Sequence, residues 1–115
     1  MSLWMIFSII GLHFLGDFIL QSHWMAVNKS KRWDALGVHC IIYGATLIPI
    51  GIMFAASNGI AHFVVDAVTS RITASLWVRQ QWHWFFVVVG ADQLIHYICL
   101  FGSYGWVAQS YRLLS

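Results

Sequence analysis

Three of the four aspartates in this chain stand four residues from a histidine, and each pair falls inside an apolar run long enough to be a membrane helix. The pairs are His13/Asp17, His62/Asp66 and Asp92/His96. Scattering six histidines and four aspartates at random over 115 positions would give roughly half of one such pair, whereas a four-residue step is what brings side chains together on one helix face. The pattern calls for helices, and for helices that bury acid.

The length suits one domain, 1–115, and a chain that is 60% hydrophobic and 9% charged, with mean hydropathy +0.74, does not have the make-up of a soluble domain. The expected fold is all-α: a polytopic membrane protein, a four-helix transmembrane bundle whose main partner is the lipid bilayer. Seven tryptophans, Trp4, Trp24, Trp33, Trp77, Trp82, Trp84 and Trp106, lie mostly near the ends of apolar runs, where interfacial belts form. A net charge of +2 with few basic residues excludes nucleic acid as a partner, since that needs a basic stripe over an open face. Cys40 and Cys99 fall in apolar segments without paired spacing, so no disulfide is expected.

A bilayer core takes about 20 helical residues to cross, and four runs qualify: 3–20, 35–56, 59–78 and 84–107. The third is the most polar and needs shelter from its neighbours. Between the first two lies a polar and aromatic stretch, 21–34, expected as a short interfacial segment whose Lys29, Lys31 and Arg32 meet anionic headgroups. Ser57, Asn58 and Gly59 are expected to turn the chain, and Pro49 to kink the second helix. The first run opens without Lys or Arg and lacks a small-residue cleavage pattern, so it reads as a span and not as a cleaved signal peptide. Lys29, Lys31, Arg32, Arg71 and Arg79 fall on one side and Arg112 on the other. The charge rule then puts both termini outside the cytoplasm of a bacterial inner membrane.

A charged aspartate near mid-membrane costs about 2.5 to 3.5 kcal/mol, so Asp17, Asp66 and Asp92 together cost about 8 to 10 kcal/mol if uncompensated. Interhelical hydrogen bonds, at about 0.6 kcal/mol each, are too weak to offset that. Arg71 alone cannot neutralise three carboxylates, which leaves protonated acids, protonated histidines or a bound metal. A divalent metal is the strongest of these, because structural zinc contributes about 10 to 16 kcal/mol of apparent binding free energy. Imidazole and carboxylate suit zinc first, with manganese or iron as other options, and ligands one turn apart on several helices are how bundle-core metal sites are built.

With the rise of a helix, Asp17 and His39 come near the cytoplasmic helix ends, Asp66 and Asp92 in the same half, and His62 and His96 deeper. The candidate metal ligands are therefore His13, Asp17, His39, His62, Asp66, Asp92 and His96. Seven exceed the needs of one zinc, which suggests either two ions or one ion with a surrounding shell of carboxylates and a general base. Asp66 or Asp92 is the candidate proton acceptor. Gln21 and Ser70 extend two of the stripes by four residues and could line a substrate approach. Arg71 is the candidate catalytic cation, suited to a phosphate, although a role as a snorkelling topology marker explains it equally well. His23 and His83, beside tryptophans, are assigned no chemistry, and the helix glycines are read as close-packing points.

The strings His13-Phe14-Leu15-Gly16-Asp17-Phe18-Ile19-Leu20-Gln21, His39-Cys40 with Tyr43, His62 to Asp66 followed by Ser70-Arg71, and Asp92-Gln93 to His96 resemble a family of small bacterial and phage polytopic membrane proteins. The resemblance covers nearly the whole chain. More distantly, the pattern is similar to the LexA-regulated inner-membrane class of metal-dependent hydrolases. That resemblance implies a metal-dependent hydrolase, and some relatives continue into a further segment whose role is not expected here. The leading expectation is hydrolysis of a lipid or phosphorus-containing substrate at the cytoplasmic side. A metal-ion or proton transporter or channel component, and a small regulatory membrane protein with a structural metal, are the other readings. Association into a homo-oligomer is left open.

Overall fold

The apolar runs form helices, and no strand occurs among the described residues. The computed structural model describes residues 1–114, with side chains through Val107; the side chain of Arg112, used in the charge count, lies outside the described residues. Helix α1, Leu3–Phe14, starts at Ser2, whose hydroxyl accepts the Met5 amide at 3.2 Å. It runs on into a π-helical turn, Leu15–Ile19, closed by the Leu20 amide on the Leu15 carbonyl at 2.9 Å. Ser22 caps the short helix α2, His23–Asn28, by accepting the Met25 amide at 3.3 Å. Helices α3, Trp33–Thr46, α4, Ile52–Val78, and α5, Trp82–Leu114, follow.

The second apolar run departs from expectation. Pro49 does not kink a helix running to residue 56; the helix ends before it, at Thr46, and a new one starts at Ile52. Proline lacks an amide hydrogen, and its ring collides with the carbonyl four residues back, so the helix stops in short-range turns through Ile50. The turn expected at Ser57, Asn58 and Gly59 is instead interior helix. Asn58 is buried there and donates to the Phe54 carbonyl at 2.9 Å and to Ser103 Oγ on α5 at 2.8 Å. Between α4 and α5 the chain does turn where expected. Gln80 takes the left-handed conformation (φ 57°), with the Gln80 amide on the Trp77 carbonyl and the Gln81 amide on the Leu76 carbonyl, a Schellman closure that usually uses glycine.

Helix α4 packs antiparallel against α5 and also against α3, which in turn meets the π turn. The last contact is close: a Cβ on Gly16 would lie 2.7 Å from Thr46 Oγ1 and 3.3 Å from the Tyr43 Cα, so only glycine fits. One half of the interior is apolar, built on Ile9, Leu47, Phe54 and Leu100. The other half holds His13, Asp17, His39, His62, Asp66 and His96, all buried. The outer surface is the reverse, with Trp4 83% exposed, Val78 80% and Ile41 73%.

By length and composition, α4 and the part of α5 over Trp82–Val107 can each cross a membrane, while Leu3–Ile19 is a shorter apolar helix. Residues of the α2 connection, including Lys29 and Lys31, share a cavity wall with Ser70, Thr73, Trp77 and Phe85, so the first and third connections lie at one end of the bundle.

Candidate metal centre

Each of the three sequence pairs is a contact. His13 Nε2 is 3.7 Å from Asp17, His62 Nε2 is 3.3 Å from Asp66, and His96 Nε2 is 3.2 Å from Asp92. Asp17 rides on the π turn, a widening of the helix that recurs at functional sites. It is aimed across the bundle at α3 and α4.

Four atoms from three elements converge. His39 Nε2 lies 3.0 Å from His62 Nε2, 3.2 Å from Asp17 Oδ1 and 3.4 Å from Asp66 Oδ2. His62 Nε2 lies 3.3 Å from each of the same two oxygens. Ligands held 2.0 to 2.1 Å from a tetrahedral ion are about 3.3 to 3.4 Å apart, and the five separations above, 3.0 to 3.4 Å, are close to that. The Nδ1 atoms of His39 and His62 have no hydrogen-bond partner. With the ring proton on Nδ1, each Nε2 would present a lone pair beside the two carboxylate oxygens, an arrangement that a cation between them would stabilise. The residues fit a divalent ion.

A second group, Asp17, Asp92 and His96, brings ligand atoms within 4.8 Å of one another. The groups are joined by carboxylates. Asp17 Oδ1 faces the first group, while its Oδ2 accepts the Gln93 amide at 3.0 Å; Asp66 Oδ2 faces the first group, while its Oδ1 is 3.2 Å from His96 Nε2. Asp92 is held by the Thr69 hydroxyl at 2.6 Å and the Gln93 amide at 3.2 Å.

His13 stands behind these groups. Gln93 Oε1, 2.8 Å from His13 Nε2, can only accept, so the ring carries its proton on Nε2 and its Nδ1 accepts from the Tyr43 hydroxyl at 2.8 Å. Both nitrogens are engaged in orienting neighbours. The rings of Tyr43, His62 and His96 form a stack, with centroids 3.9 and 4.1 Å apart, which fixes the direction of the His62 lone pair.

Of the eight residues singled out as metal ligands or catalytic groups, Asp17, His39, His62, Asp66, Asp92 and His96 come together, with His13 adjoining. Arg71 does not join them: its guanidinium covers the Trp33 ring at 4.2 Å and donates to the Ala67 carbonyl. The cation at the site is Lys29, whose Nζ donates to Asp66 Oδ2 at 3.0 Å. Burial alone would lower the Lys29 ammonium, but the Asp66 and Asp17 carboxylates outweigh it and hold its pKa above the ordinary value. Lys29 was assigned to headgroups by its position in a polar stretch, and no spacing rule links it to Asp66. Tyr43 and Gln93 carried a weak signal, since Tyr43 follows His39 by four and Gln93 adjoins Asp92.

Comparison with known proteins agrees with the likeness of the sequence to a family but adds no activity. Over residues 5–113 the chain matches the family described as "Protein of unknown function (DUF3307)", and it belongs to that family. No curated protein and no solved structure matches it.

Proposed function

We propose that this family member is a membrane-embedded metal-dependent hydrolase, a four-span bundle of the bacterial inner membrane that acts at the cytoplasmic side on a lipid or phosphorus-containing substrate. The observation that carries the reading is the convergence of Asp17, His39, His62 and Asp66 within ligand-sharing distance beside a second, three-ligand group that shares Asp17. Four protein ligands close an ion's coordination, whereas three leave a position open to water or substrate. The first group thus suits a structural zinc and the second a catalytic one; manganese or iron also suits this oxygen-rich ligand set. Bound there, a divalent ion supplies Lewis acidity and lowers the pKa of water.

The chain's own groups then have distinct tasks. Asp92 is the better proton acceptor of the two candidates, because its side chain is 14% exposed toward a cavity while that of Asp66 is 2% exposed and engaged by Lys29. Thr69 and Gln93 aim its oxygens. His96 Nε2, 3.2 Å from both Asp92 and Asp66, ties the second ligand group to the first.

Membrane placement is supported by the apolar exterior around a polar interior, an arrangement that only a lipid solvent favours. Helix α3 and the turns after it reach Ile50, about 27 Å at helical rise, close to the ~30 Å hydrocarbon thickness. Lys29, Lys31 and Arg79 at one end favour that end as cytoplasmic. The transport reading is weakened by the packed layer of Ile9, Leu47, Phe54 and Leu100, which stands across any path from the cluster to the other side.

Metal analysis of protein purified without chelator tests the reading. One or two zinc equivalents per chain are expected, lost in Asp66→Ala, with phosphoester hydrolysis lost in Asp92→Ala while the fold persists. Metal-free native protein overturns it, and loss of ion flux in vesicles without any hydrolysis would favour transport.

A further inference from the structure

Beside the second ligand group is a cavity of about 120 Å³, room for several waters. Asp17, Asp92 and Gln93 line it together with Gln21, Lys29 and Ser70. Two of these residues carry unpartnered atoms: Ser70 Oγ, on a residue only 7% exposed, and Gln21 Oε1 have no hydrogen-bond partner. Buried polar atoms without partners are rare and call for a ligand or water. Lys29 and Ser70 also line a wider groove of about 500 Å³, where Lys31 stands at the rim and Val27, Ala74, Trp77 and Phe85 make an apolar wall. The groove and the cavity share Lys29, Ser70 and Thr73 in their linings, and the cavity is also lined by Asp17 and Asp92 of the ligand groups.

We infer that the cavity is a phosphoryl subsite, with the Lys29 ammonium and the Ser70 hydroxyl as its donors, and that the groove admits the apolar remainder of an amphiphilic phosphate ester. This inference rests on the metal-dependent reading, and charge shows why. Asp17, Asp66 and Asp92 bring three negative charges to the site, which would repel an oxyanion. Two divalent ions and one ammonium bring five positive, a surplus of two that matches a phosphate dianion. The anion therefore binds the metal-loaded protein and not the metal-free one. An ammonium and a hydroxyl, both on residues that line a water-sized chamber, suit a tetrahedral oxyanion, and the apolar wall suits an acyl or prenyl chain.

The test uses the full chain in phosphatidylcholine nanodiscs, zinc-loaded, with radiolabelled inorganic phosphate as the probe and phosphatidic acid in the discs as the competitor. Metal content is measured on the same samples. Ser70→Ala should keep its zinc and bind phosphate about tenfold more weakly, the loss of one hydrogen bond to a charged group. Ala74→Trp, which fills the groove away from the cavity, should leave phosphate binding intact and abolish competition by phosphatidic acid. Full zinc with phosphate affinity unchanged in Ser70→Ala overturns the subsite and leaves the metal reading standing. Absence of zinc brings down both, in a separate measurement. Phosphate binding without competition in the unmodified protein assigns the source as a soluble ester and overturns the role of the groove.

Discussion

The two halves of the interior are equally buried and oppositely made. Around Ile9, Leu47, Phe54 and Leu100, side chains fill space and nothing is owed to charge. Around Asp17, His39, His62 and Asp66, ring nitrogens and carboxylate oxygens from three elements face one another across 3.0 to 3.4 Å. The first half is packed from hydrophobic side chains, whereas the second gathers Asp and His groups that could hold a metal ion. The same helices build both, so one fold contains an apolar part and a part made of titratable groups.

Removing the metal should break the molecule along that division. Chelation is expected to raise amide hydrogen exchange by at least about 100-fold around residues 17, 39, 62 and 66, the loss of a coupled binding free energy, with little change around Phe54 and Leu100. Equal loosening of both halves would show that they are not separable. Next in size, Leu100→Ala should cost about 2 to 5 kcal/mol in reversible unfolding while zinc content stays whole; loss of zinc there would contradict the contrast from the other side. Gly16→Ala acts on the seam. Its Cβ meets Thr46 and Tyr43, so the π turn is pushed off α3, with an expected loss of about 1 to 3 kcal/mol and a weaker zinc affinity because Asp17 moves with it. The smallest effect belongs to neither half. Gln80→Gly relieves a left-handed turn residue outside the bundle core and should stabilise by about 0.5 to 1 kcal/mol with zinc affinity unchanged.

Much of the polar half could be read from spacing alone. The His/Asp steps named five of the six residues in the two ligand groups, because a helix converts a four-residue interval into adjacency whatever surrounds it. His39 joined them by depth, and the structure shows that its own four-residue step is to Tyr43, which hydrogen-bonds His13. Lys29 could not be read this way, since its side chain reaches Asp66 across 37 residues of sequence and no local pattern encodes that contact. Arg71 illustrates the converse: its place beside Ser70, five residues past Asp66, points to the site, but its side chain is directed to Trp33. In the apolar half hydropathy located the helical runs and misjudged one break, treating Pro49 as a bend and Ser57–Gly59 as a stop. Turn-forming residues inside a buried helix are overruled by packing, as the Asn58 contact with Ser103 shows.

That contact also governs alignment. Greasy surfaces can slide past one another with little change in energy, so a layer of Leu and Phe sets no unique axial offset between α4 and α5. The Asn58 amide on the Ser103 hydroxyl permits only one, and from that peg the ladder counts inward: His62 one turn on along α4 and His96 two turns back along α5 arrive face to face, with Thr69 and Asp92 further along. A slip of a single turn would part every rung, so the His and Asp rows borrow their vernier setting from the oily end of the molecule.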